Sequence, residues 1–203
     1  MFGSLKYIII FKIFFLSVLF SQKEYHLDSL SKKNDIYFDN VSNEILNGNV
    51  YQIYKNIKVH IGEINNGKKS GKWTLRYKNG QKREEDTYLN GIQEGLSIKW
   101  YLNGKKRVEG TFIKGRPNGL YTEWYKNGEK TVEGTFEKGE ENGLSVRWYE
   151  NGKKKQEGSF KKGSQDGLWY WWYPNGENKK IGEFKNGKFI LKKKWPKISS
   201  ISK

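Results

Sequence analysis

The chain has 203 residues, 35% hydrophobic and 16% aromatic, with 38 Lys and Arg against 22 Asp and Glu for a formal charge of +16. The absence of cysteine excludes disulfides, thiolate metal sites, a thiol nucleophile and a lipid-modified amino-terminal cysteine. Lys outnumbers Arg by 33 to 5, and the planar fork that reads bases and grips phosphates belongs to Arg, so nucleic acid is not the expected partner and the lysines read as a solvated rim guarding sheet edges.

Residues 1–21 read as an export signal: the cationic start MFGSLK, the apolar run YIIIFKIFFLSVLF interrupted by Lys12 and Ser17, and small Ser21 before Gln22. The apolar run of 14 residues is short of the roughly 20 that a spanning helix needs. The expected destination is the periplasm, outer envelope or medium. The alternative is a chain anchored in the membrane by residues 7–20.

Residues 22–49 show no period and read as an irregular linker or amino-terminal cap. From residue 50 to 187 the chain is a repeat array. Its first copy is degenerate and one residue short, and the register locks at Trp73. Two adjacent copies, WYLNGKKRVEGTFIKGRPNGLYTE and WYKNGEKTVEGTFEKGEENGLSVR, span Trp100 to Arg147 with a period of 24 residues. Tyr77, Tyr101, Tyr125, Tyr149 and Tyr173 keep that spacing, as do Gly80, Gly104, Gly128, Gly152 and Gly176. A fixed period of this length specifies a repeat architecture in which each unit packs on its neighbours. Residues 188–203 read as a basic carboxy-terminal tail or cap.

Within a copy, Leu96 to Tyr101 alternates as a strand with one apolar face. Tyr101-Leu102-Asn103-Gly104 is a turn, and its last counterpart, Tyr173-Pro174-Asn175-Gly176, places proline where a two-residue type I′ turn demands positive φ. A type I turn with a three-residue loop and a glycine bulge follows. The odd loop puts Leu96, Ile98 and Trp100 on one face with Val108, Gly110 and Phe112, leaving Ser97, Lys99 and Tyr101 with Arg107, Glu109 and Thr111 on the other. Val132 is then the residue expected to fill the space beside Trp124. The second connection, Lys114 to Gly119, reads as a short loop with glycine at both ends. The expected fold is all-β: an elongated, single-layer antiparallel meander of tandem 24-residue hairpins.

The pattern YxNGxxxxEGxFxxGxxxG, written from Tyr125 through Gly143 and recurring over residues 76–187, resembles the MORN repeat, in particular the bacterial variant grouped with YwqK-type proteins labelled toxin-antitoxin antitoxins. The resemblance implies a hairpin sheet serving as a scaffold, a protein-binding surface or a membrane-proximal module. The antitoxin label implies a protein that masks a toxin by direct binding. An export signal fits a cytoplasmic antitoxin poorly.

No catalytic constellation is legible, and neither a metal nor a cofactor is expected. His26 and His60 lie outside the regular copies without a second ligand at suitable spacing. Glu85, Glu109, Glu133 and Glu157 occupy one strand position in successive copies; an active site is one asymmetric place, so a recurring acid reads as cross-strand pairing with Lys or Arg. The glycines punctuate turns and form neither a nucleophile elbow nor a phosphate loop. The expected function is a non-enzymatic, exported scaffold that binds another protein or an envelope component, with envelope polysaccharide or an anionic membrane surface as further partners. The candidate partner-binding residues are the outward tyrosines Tyr101, Tyr125 and Tyr149 and an aromatic patch of Trp169, Trp171 and Tyr173, where indoles replace Ser145 and Arg147 of the preceding copy. A cap formed by residues 189–195 is the competing reading of that patch. Lys192, Lys193 and Lys194 are the candidate contacts to an anionic surface.

Overall fold

The computed structural model describes residues 23–193, so the expected export signal lies outside the described residues. Almost every element is a strand; the 3-10 turn Leu27–Ser29 is the sole helical element among the described residues. Fifteen strands form one sheet in which sequential strands are neighbours throughout the array, joined antiparallel. The expected meander is the observed fold.

The turn chemistry of each hairpin follows from its sequence. The Gly104 amide donates to the Tyr101 carbonyl at 2.9 Å, and the Tyr101 amide donates to the Lys105 carbonyl at 2.9 Å. Gly104 has φ +81°, so this is the expected three-residue loop closed by a left-handed glycine. The same two bonds recur at Tyr77, Tyr125, Tyr149 and Tyr173. The second connection is tighter than expected. Lys114 and Gly115 have φ of 52° and 74°, the signature of a two-residue type I′ turn, and Arg116–Trp124 is strand from its first residue.

The expected assignment of faces is corrected by the register. Lys106 pairs with Trp100, but Val108 pairs with Lys99, leaving Arg107 as an extra residue. Thr131, Lys155 and Lys179 are the corresponding insertions in the next hairpins. This second bulge restores even parity after the odd loop, so Glu109 lies opposite Ile98 and Gly110 opposite Ser97. Val132 pairs with Glu123 and so faces away from Trp124; the Lys106 ammonium lies 5.9 Å from the Trp124 ring centre instead.

The two faces are therefore a glycine face and a leucine face. On the glycine face, the column Ser97, Tyr121, Ser145 and Trp169 alternates with Gly110, Gly134, Gly158 and Gly182, while Trp73 at its start is paired with Asp86. Large rings lie directly over glycines: a Cβ on Gly158 would stand 2.2 Å from Trp169, and one on Gly110 2.6 Å from Tyr121. On the leucine face, Leu96, Leu120, Leu144 and Leu168 form a row that is 49, 60, 54 and 38% exposed.

The amino-terminal end of the glycine face is covered, and the other end is extended by one more strand. At the amino-terminal end, Glu24–His26 pairs parallel with Gly48–Tyr54, while the hairpin of Leu30–Lys33 and Ile36–Asp39 docks through the Tyr37 amide on the Gly67 carbonyl at 2.8 Å. Buried Leu46, Val50, Ile61, Ile64 and Trp73 form a core with partly buried Leu30, Tyr37, Leu75 and Tyr88 against it. At the other end, Lys188–Lys193 adds a last strand to the sheet. Its Phe189 meets Phe184 edge-on at 5.4 Å, and Phe184 in turn packs edge-on to Trp169 at 6.3 Å.

Candidate partner-binding faces

The residues that recur in every copy are occupied in joining copies together. The Tyr77, Tyr101, Tyr125 and Tyr149 hydroxyls donate to the carbonyls of Trp100, Trp124, Trp148 and Trp172 at 2.7, 2.7, 3.0 and 2.9 Å. Tyr54 of the degenerate copy reaches the Arg76 carbonyl in the same way at 3.3 Å. Asn103, Asn127 and Asn151 amides donate to carbonyls 23 residues downstream at 2.7–2.8 Å. Tyr101, Tyr125 and Tyr149 are thus half-buried stitches between copies.

The recurring acids are likewise spent. Glu85 holds Lys82 and Lys72 at 2.8 Å each, and Glu109, Glu133 and Glu157 each pair with the lysine three residues before. The pairing is mostly within one strand, across the bulge, where cross-strand pairing was expected. Those lysines also lie over the tryptophan of the next copy: Lys82, Lys106, Lys130 and Lys154 stand 5.6–5.9 Å from the Trp100, Trp124, Trp148 and Trp172 rings. Burial raises the Glu85 carboxyl's pKa, but the Lys72 and Lys82 pairs outweigh it and hold the group below the ordinary range.

The aromatic patch expected around Trp169 is only partly a surface. Trp169 has no exposed area: it lies over Gly158, packs edge-on to Phe160 at 4.9 Å, and its indole N–H donates to the Ser159 carbonyl at 3.2 Å. Trp169 is thus a buried anchor, because glycines on the flanking strands open the space for its ring. Trp171 is half-buried under the Lys180 ammonium, 4.2 Å from its ring centre. Tyr173 is 45% exposed, with the Lys179 ammonium 5.3 Å from its ring centre. Lys192 and Lys193 lie in the last strand, and Lys194 falls outside the described residues.

The histidines stand apart from these rows. The His26 Nδ1 accepts from the Asp28 amide at 3.3 Å, and the His60 ring is 3.1 Å from the Asn49 side-chain oxygen. Among the described residues no three His, Cys, Asp or Glu side chains converge to hold a metal. In its middle the glycine face carries two shallow hollows of about 310 and 420 Å³ on either side of Tyr121 and Glu123. Tyr121 donates to Glu123 at 2.7 Å; burial, then this carboxylate, push the phenol pKa up.

Five matches to the MORN repeat variant model fall at residues 69–90, 93–114, 117–138, 141–162 and 165–186, together 110 of the 203 residues. The chain belongs to the MORN repeat variant family. Each MORN match ends on the first residue of a type I′ turn, at Asn90-Gly91, Lys114-Gly115, Lys138-Gly139, Lys162-Gly163 and Asn186-Gly187. The matched units thus run from turn to turn, and the tyrosine stitches cross from each MORN unit into the next. A search of curated proteins found no match to this chain.

The feature that sequence reasoning missed is the leucine row. Leu96, Leu120, Leu144 and Leu168 were expected on the more apolar face with Phe112 and Val108. The second bulge removes those partners to the opposite face. The signal available in the sequence was the glycine thirteen residues after Ser97, Tyr121, Ser145 and Trp169, a spacing that places a residue without a side chain on the neighbouring strand, where the Tyr121 and Trp169 rings take the space.

Proposed function

We propose that this chain is a non-enzymatic, exported MORN-variant scaffold that docks another protein of the cell envelope along its leucine face. One observation carries the reading: the Tyr, Asn, Lys and Trp rows are used between copies and the Glu row is paired with those lysines, whereas the four leucines repeat in register and remain 38–60% exposed. Copies advance by two strands, so successive leucines stand about 9.5 Å apart and the row extends roughly 29 Å. A regular apolar strip framed by polar residues is the kind of surface that marks a protein contact. Thr111, Thr135 and Ser159 alternate with the leucines across the strands and form its polar ground. Export rests on the apolar segment of residues 1–21 and its cationic start.

The test is capture from envelope extracts with the tagged full chain. The pair Leu120→Asp and Leu144→Asp should abolish capture while the circular dichroism spectrum stays that of the parent. Undiminished capture by the folded double variant would remove the leucine face from the account. Mass spectrometry of the amino terminus after cell fractionation tests export: a start near Gln22 in the envelope or medium supports it. An intact Met1 chain in the cytosol would overturn export and favour direct neutralisation of an intracellular toxin; an intact chain in the membrane would favour the anchor.

A further inference from the structure

The repeat array supplies its own comparison. Where a residue departs from its counterparts in the other copies, the departure marks something the sheet alone does not require. The densest departures lie where the amino-terminal hairpin meets the first regular copy. Position 69 is Lys, where its counterparts are Gln93, Pro117, Glu141 and Gln165. Position 88 is Tyr, where the others are Phe112, Phe136, Phe160 and Phe184. Both residues line a cavity of about 400 Å³, closed on its other side by Lys32, Asp35 and Tyr37 of the hairpin, with Lys68 also on its wall.

The charges of this cavity are arranged without neutralising one another. The Lys69 ammonium rests on neutral rings, 4.4 Å from the Trp73 centre and 4.8 Å from that of Tyr88, with no carboxylate in ion-pair contact among the described residues. A ring face holds a cation in place without cancelling its charge. Lys32 stands over Tyr37 at 5.6 Å and pairs with Asp35 at 2.8 Å, the cavity's one acid. Three ammonium groups against one carboxylate leave an excess of two positive charges on the wall. Burial lowers the Lys69 pKa, with Lys32 acting in the same direction and Glu84 and Asp86 opposing, so an entering anion relieves a destabilised charge. Behind the wall, burial and then Glu84 raise the Asp86 carboxyl's pKa above its ordinary value. Tyr88 donates to Asp86 at 3.4 Å and keeps oxygen lone pairs for a hydroxyl.

We propose that this cavity binds a phosphate monoester carried on a body about the size of a sugar, with Lys69, Lys68 and Lys32 on the phosphate. The dianion matches the excess charge, and the volume exceeds what a bare phosphate needs, lying within the roughly 300–1,000 Å³ of small-ligand sites. The site is separate from the leucine row and does not depend on the docking reading.

Titration calorimetry of the full chain with glucose 6-phosphate, inorganic phosphate and glucose tests the assignment, with Trp fluorescence as a second readout because Trp73 lies against Lys69. Saturable binding of glucose 6-phosphate is expected, weaker for inorganic phosphate and absent for glucose. Lys69→Gln installs the residue that two other copies carry at this position, so it is compatible with the fold, and it should weaken binding by about tenfold or more. Lys126→Gln, at an exposed turn far along the array, should leave binding unchanged. Absence of saturable binding would overturn the proposal, as would equal binding of glucose, or affinity that survives Lys69→Gln or falls equally with Lys126→Gln. Inorganic phosphate binding as tightly as the ester would overturn the sugar-sized body.

Discussion

Replacing Gly158 with alanine tests the packing rule of the glycine face against a control inside the same molecule. The added Cβ would meet three Trp169 ring atoms at 2.2, 2.4 and 2.5 Å. The indole is held by Phe160 on one side and by its N–H bond to Ser159 on another, so it cannot withdraw freely. Reaching an ordinary contact requires a shift of about 1 Å, and overpacking on this scale costs about 1–3 kcal/mol. At Gly134 the same substitution meets Ser145 Oγ at 3.5 Å and Glu141 Oε1 and Ser145 Cβ at 3.7 Å, all ordinary contacts. There alanine should be neutral or stabilise by about 0.4–1 kcal/mol through the unfolded chain. Neither glycine needs a left-handed backbone, so the difference isolates the ring. Urea unfolding followed by Trp fluorescence should place Gly158→Ala about 2–3 kcal/mol below Gly134→Ala. Introducing Gly158→Ala into a Trp169→Ser background should cost almost nothing further, although Trp169→Ser itself costs about 3–5 kcal/mol. Equal stability of the two glycine variants, or an unchanged cost in the serine background, would refute the reasoning.

Two further predictions follow from the joints between copies. Tyr125→Phe removes the bond to the Trp148 carbonyl and should lower stability by about 0.5–1.5 kcal/mol in the same assay; no loss would mean that the stitch is idle. Glu85→Gln tests the ion pairs with Lys72 and Lys82. The folded carboxyl lies below its ordinary 4.5, so its stabilisation is present above that value and lost as pH falls through the folded pKa. The variant should be less stable than the parent by about 1 kcal/mol or less at neutral pH, and the gap should close on acidification. A gap that persists in acid would contradict the electrostatic origin.

The sequence disclosed the period, the strand alternation and the three-residue loop, because glycine and proline mark positions where backbone geometry has few solutions. It concealed the second bulge. The inserted residues Arg83, Arg107, Thr131, Lys155 and Lys179 include no glycine, proline or asparagine to mark them, since a bulge of this kind needs no positive φ. One unmarked residue per hairpin was enough to reverse the pairing of faces, hide the leucine row and place Trp169 on the wrong side of the burial argument. The type I′ turns were legible at Asn90-Gly91 and Asn186-Gly187 but masked in the three copies that carry Lys-Gly. The cationic cavity was out of reach, because it joins Lys32 and Lys69 from elements that only the folded cap brings together.

The functional account stands or falls on which face meets the partner. Photoreactive residues placed singly at Leu120 and Leu144 on the leucine face, and at Glu123 and Arg147 on the glycine face, would read this directly in native cells. The account predicts one shared protein adduct from positions 120 and 144 and none from 123 and 147. Adducts formed only from the glycine face would contradict it.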